Sequence, residues 1–158
     1  MESYKIQLFL HIASVLAAFG TAFTFPFIQA AGERAGVLQT RFALQLIDRL
    51  TRLVVRPGAV LAALFGAGLI FDDVTGYSDD FPGWLMAAIT WFVLLVVLGE
   101  VGQGRAVKGG LAALEGHADA NALPAGYVPI GKRLQVFSGL IALSIVGILF
   151  LMVWKPGA

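Results

Sequence analysis

The sequence predicts an all-α integral membrane protein, a bundle of four helices, and three observations predict it. Of the 158 residues, 58% are hydrophobic and 13% are charged, against about 45–50% apolar and about 25% charged in an ordinary soluble domain. The mean hydropathy is +0.83. The charges, 11 Lys and Arg with 10 Asp and Glu, are clustered and leave long windows that hold none. This balance argues against a water-soluble globule, a disordered tail and a basic nucleic-acid binder. The length allows a single domain, residues 1–158. The chain has no cysteine, so disulfides, Cys-based zinc sites, iron–sulfur clusters and Cys nucleophiles are excluded.

The charge-free windows are residues 6–32, 57–71, 81–99 and 134–154. A helix needs about 20 mostly apolar residues to cross a hydrocarbon core of about 30 Å. The second window is short alone. It reaches the required length when Leu53, Val54 and Val55 join it and Arg56 snorkels to the interface. The expected membrane helices are therefore about 6–30, 53–71, 81–100 and 134–154. The first reads as a retained helix rather than a signal peptide, because Glu2 offsets Lys5 and the apolar stretch is long.

Lys and Arg set the expected orientation. Arg34, Arg41, Arg49, Arg52 and Arg56 lie between the first two helices, and Arg105, Lys108, Lys132 and Arg133 between the last two. The opposite side has Lys5, Lys155 and a loop with Asp72, Asp73, Asp79 and Asp80. Both termini are thus expected on the non-cytoplasmic side, with Trp84 and Trp154 near the outer interface. Val37, Leu38, Phe42, Leu46, Leu50 and Leu53 recur at helical spacing among Arg41, Asp48, Arg49 and Arg52, which predicts an amphipathic helix running into the second span. Pro57 marks a kink or fresh start there, and Pro26 a kink or terminator. Residues 121–131, with Pro124 and Pro129, read as loop.

Polar groups within the spans are few, and each needs a reason. His11 is the sole histidine inside a span. Neutral imidazole can ligate a haem iron or another metal, relay a proton, or hydrogen-bond a neighbouring helix. Glu100 and Arg56 bound two windows at the same side, so the expectation is a structural ion pair; a proton-handling carboxylate is the sharper alternative. Small residues at Ser14 and Ala18, and at Ala62, Gly66 and Gly68, would let helices approach closely. No cluster of residues has metal-ligand spacing, and no P-loop, nucleophile elbow or dinucleotide fingerprint is present. The expected function is accordingly non-enzymatic.

Four segments carry a resemblance. They are Leu8-Phe9-Leu10-His11-Ile12 followed by Gly20; Arg49 and Arg52 running into Pro57; Trp84-Leu85; and Met152-Val153-Trp154-Lys155-Pro156-Gly157. In this order they resemble the bacterial predicted integral membrane proteins called domain of unknown function 2269, over nearly the whole chain. That resemblance implies a multi-pass protein of the bacterial inner membrane. It is compatible with a small accessory subunit of a larger membrane complex or a homo-oligomer, its partners being the lipid bilayer and other membrane chains rather than nucleic acid. More distantly, the Leu-His of the first helix, the spaced arginines before Pro57 and the Lys-Pro ending are similar to the HemJ-type four-helix protoporphyrinogen oxidases. That similarity implies haem b as cofactor, His11 as axial ligand, and a membrane redox protein. The oxidase pattern has a Lys just after the Trp-Leu of the third helix, where this chain has Met86, Ala87 and Ala88.

Overall fold

The computed structural model describes residues 2–117, 120 and 122–157. Four helices are long and apolar enough to cross a membrane: α1 (Glu2–Ala35), α2 (Val37–Ile70), α3 (Gly83–Ala113) and α4 (Val128–Trp154). No strand occurs among the described residues. At 1.5 Å per residue, the 34 residues of α1 and of α2 are each about 51 Å long. They outrun a hydrocarbon core of about 30 Å. The charge-free windows therefore mark where lipid touches the helices, not where the helices stop. The helices run beyond the expected membrane spans. α1 extends to Ala35 rather than about residue 30. α3 continues past Glu100 to Ala113. α4 begins at Val128 rather than at 134, because Pro129 occupies its first turn, where a missing N–H costs nothing. Asn121, the first residue of the expected loop, lies outside the described residues.

α1 and α2 are separated by Gly36 alone, whose φ of 121° is open to glycine and hostile to side chains. The Gly36 carbonyl accepts from the Thr40 amide at 2.9 Å and the Thr40 hydroxyl at 2.8 Å. The two helices pack as an antiparallel hairpin along their length, and small residues allow it. A Cβ on Gly58 would meet Ala18 at 3.1 Å, and one on Gly32 would meet Ala43 at 2.7 Å. α3 packs on α4 in the same way, with the Trp91 ring lying directly on Gly147 and Phe137 on Gly102. α1 also contacts α4, so the order around the bundle is α2, α1, α4, α3. α2 and α3 pack together between Val37–Leu50 and Gly104–Ala113 and diverge beyond.

Both prolines inside helices are accommodated by loosened turns. Proline has no N–H and its ring presses on the carbonyl four residues back. Before Pro57 the helix widens to π geometry over Thr51–Val55; before Pro26 it widens over Leu16–Gly20 and turns at Thr24, whose hydroxyl bonds the Thr21 carbonyl at 2.7 Å. α3 has a third such turn, Leu98–Gln103.

The bundle has two zones. At the end bearing the acidic loop, Phe9, Leu64, Met86, Val93, Leu143 and Val153 face outward, as lipid-facing residues do. Met86, 58% exposed, contributes to this outer surface. At the basic end, Phe25, Val37, Leu44, Ile47, Leu114, Tyr127 and Leu134 are buried in a conventional core. The Asp-loop end is tied by Trp84: Tyr77 meets its ring edge-on at 5.8 Å, and the Lys155 ammonium lies 5.5 Å over its centroid.

Two glycines of α4 separate these effects. Gly147→Ala drives a Cβ into the Trp91 ring and should destabilise by about 1–3 kcal/mol, as overpacking does. Gly139→Ala meets nothing within 4 Å and should be neutral or stabilise by up to about 1 kcal/mol. Thermal unfolding of the two variants in one detergent checks the contrast.

Candidate functional site

The polar side chains of the bundle concentrate where α2 and α3 diverge. Arg56 ends the widened turn of α2, and Glu100 sits within that of α3. Arg56 donates from Nε to Glu100 Oε1 at 2.7 Å and from Nη2 to Oε2 at 2.6 Å. This is the two-pronged geometry in which guanidinium and carboxylate fit best. Arg56 precedes Ile70 by about 21 Å of helix and Glu100 follows Gly83 by about 26 Å, at 1.5 Å per residue. The pair therefore lies at the basic edge of a hydrocarbon layer of about 30 Å. One turn further out, Arg52 pairs with Asp48 at 2.5 Å. Arg49 is exposed and belongs to no ion pair among the described residues.

A cleft of about 400 Å³ opens beside the Arg56–Glu100 pair, between α2 and α3. Phe19, Ala22 and Phe25 of α1 and Ile141 and Ile145 of α4 floor it. Ala59, Ala63, Phe92 and Val96 wall it, and its surface is overwhelmingly apolar. A second space of about 200 Å³ adjoins it at the basic end and shares Thr51, Arg56, Gly99, Glu100 and Gln103 with it. Asp48, Arg105 and Lys108 complete that lobe. Gln103 is buried and donates to Ser138 on α4 at 2.9 Å. Gly99 lines both spaces, and a Cβ there would meet nothing within 4 Å.

His11 is elsewhere. It packs against Gly66 in the α1–α2 seam, its Nδ1 2.8 Å from the Ala62 carbonyl oxygen. That oxygen only accepts, so Nδ1 carries the proton and Nε2 keeps its lone pair in the neutral ring. His11 lines neither of the two spaces described above. His117 lies beyond the basic end of α3, bonded to the Glu115 carbonyl. No group of three His, Cys, Asp or Glu that could hold a metal ion occurs among the described residues.

A third polar cluster went unread in the sequence. Glu33 accepts from Gln29 Nε2, from the Tyr127 hydroxyl and from Gln135 Nε2, each at 2.8 Å. Gln29 also donates to the Gly131 carbonyl at 3.0 Å. These bonds lock α1 to the first turns of α4. Gln29 and Glu33 are four apart and share a helix face, which was the available signal. Tyr127 is 1% exposed. Burial, and then donation to Glu33, push its hydroxyl well above the usual phenol range.

A four-span integral membrane bundle with a polar edge and an apolar lateral cleft is the class this structure defines. The chain belongs to the family of predicted integral membrane proteins DUF2269, whose family model matches residues 5–156. No curated protein and no solved structure matches it.

Two measurements check the clusters. Removing Arg56 alone (Arg56→Met) leaves a carboxylate uncompensated at the edge of the apolar layer, so it should lower the thermal midpoint more than Arg56→Met/Glu100→Leu together. Tyr127→Phe removes a hydrogen bond to a charged acceptor and should cost about 1.5–3 kcal/mol at neutral pH. The raised Tyr127 pKa favours the neutral phenol in the folded chain. Its contribution is complete below the unfolded phenol value of about 10 and falls as pH rises above it. Alkaline unfolding curves of Tyr127→Phe should therefore be flatter above that point than those of the wild type.

Proposed function

We propose that the chain is a non-enzymatic protein of the bacterial inner membrane that works by association, as a small accessory subunit or a homo-oligomer. Leu38 and Phe42 of α2 support this reading. They are 55% and 66% exposed on the face that also carries Arg41, Gln45 and Arg49. Phe42 is about 21 Å of helix beyond Arg56, past the hydrocarbon edge, where an exposed apolar pair is not explained by lipid. The neighbouring Glu33 cluster ties α1, the other arm of this hairpin, to the start of α4. The distribution of Lys and Arg supports a cytoplasmic location for this end and an external one for both termini.

Size measurement of the full chain in mild detergent tests the association. The wild type should run as an assembly larger than its 16.8 kDa, and Leu38→Ser/Phe42→Ser should run as a monomer. A wild-type monomer with nothing bound to it overturns the reading. A phosphatase fused to the C-terminus should be active outside the cell; activity only of a cytoplasmic reporter there reverses the orientation.

The second reading is haem binding at His11. One observation favours it: a ligating histidine ordinarily donates its other ring N–H to a carbonyl or carboxylate, and Nδ1 of His11 does so to Ala62. His11 belongs to no group of three His, Cys, Asp or Glu among the described residues, and its ring lies against Gly66. The visible spectrum of the purified chain, reduced and oxidised, decides the matter. A Soret band lost in His11→Ala establishes the ligand; a colourless protein after added haemin removes it.

A further inference from the structure

We propose that the cleft between α2 and α3 binds one anionic phospholipid of the surrounding leaflet, with an acyl chain in the apolar slot and the phosphate at Arg105, Lys108 and Arg56. Beyond their contact at Val37–Leu50 and Gly104–Ala113 the two helices part, and the cleft lies between them beside Arg56 and Glu100. A dry apolar space does not recruit water, and an empty one forfeits the contacts of every atom that lines it. A slot that opens sideways into hydrocarbon is filled by what surrounds it, and that is acyl chain. From Glu100 to Phe92 it follows about 12 Å of helix, enough for a substantial part of one chain. The adjoining lobe gives the head its place. Arg56, Arg105 and Lys108 face Asp48 and Glu100 there, an excess of one positive charge. Arg56 binds Glu100 through Nε and Nη2, which leaves its other guanidinium protons for a phosphate oxygen. A helix from another chain does not suit the site. It is about 10–12 Å wide, and the Arg56–Glu100 bonds hold α2 and α3 together at the slot's head. The tail slot and the head lobe meet at Gly99, whose Cβ position is open space, so the groove is continuous from one to the other. The site is independent of which leaflet the basic end faces and of whether the chain assembles through Leu38 and Phe42.

The experiment is native mass spectrometry of the full chain released from bilayers of equal phosphatidylglycerol and phosphatidylcholine. The wild type should retain one phosphatidylglycerol at roughly tenfold preference over phosphatidylcholine, about 1.4 kcal/mol by the usual conversion. Gly99→Leu should obstruct the slot and reduce retention of both lipids. Arg105→Gln/Lys108→Gln, two exposed positions, should keep a retained lipid and abolish the preference. Equal retention of the two lipids by the wild type overturns the proposal. So does a preference that survives the Arg105→Gln/Lys108→Gln change, which would put the lipid on the outer basic face of α2 instead. Should Gly99→Leu fail to fold, the head variant alone decides.

Discussion

In hydrocarbon every backbone N–H and C=O must find its partner within the chain, because no water is there to supply one. That constraint shapes this molecule more than any side-chain contact. It keeps α2 helical through Pro57, where a soluble helix would have ended, by widening the turn before it. Hydroxyls are held to the same rule. Ser14 bonds the Leu10 carbonyl four residues back at 2.7 Å, so it offers no bare polar atom to lipid. Widening a turn rotates everything beyond it. On α2 and α3 the widened turns end or enclose Arg56 and Glu100, and there the two charges meet.

How the bundle holds together changes along its length. In the lipid zone there is little hydrophobic gain from one helix leaving lipid for another, so close approach and dispersion must suffice. Gly58 on Ala18 and Gly147 under Trp91 supply that approach. At the basic end water is present, and the ordinary rules return: Phe25, Leu44, Ile47, Tyr127 and Leu134 are buried, and the polar atoms among them are hydrogen-bonded. Gln29 Oε1 is an exception, buried without a partner. Its Nε2 serves two acceptors at once, which fixes the orientation of the amide and leaves the oxygen facing away from both.

The membrane spans were legible because charge is excluded from hydrocarbon, so a gap between Lys5 and Glu33 or between Asp80 and Glu100 is a direct physical record of lipid. Helix ends were not legible, since nothing in a charge-free window reports where a helix stops in water. Residues 104–113 include Gly104, Gly109 and Gly110, which lower helix propensity. Gly110 has a packing reason: Leu44 would lie 2.9 Å from its Cβ. Glycine signals backbone freedom and close approach alike, and only the partner helix distinguishes them. The site divides similarly. Arg56 and Glu100 are each set at a window edge and so drew attention, and their contact is seen in the structure. Glu33 was treated as a boundary marker, and its three donors come from positions as far away as Tyr127 and Gln135. The cleft had no sequence signal, because it is made by two helices that part, not by residues of a particular kind.

A single residue between α1 and α2 also fixes the register of the hairpin. A linker of ten residues would let one helix slide along the other or drift from it; one residue at a φ open to glycine allows neither. The turn thus acts as a ruler: it sets Gly32 against Ala43, and every contact further along the hairpin is counted from it.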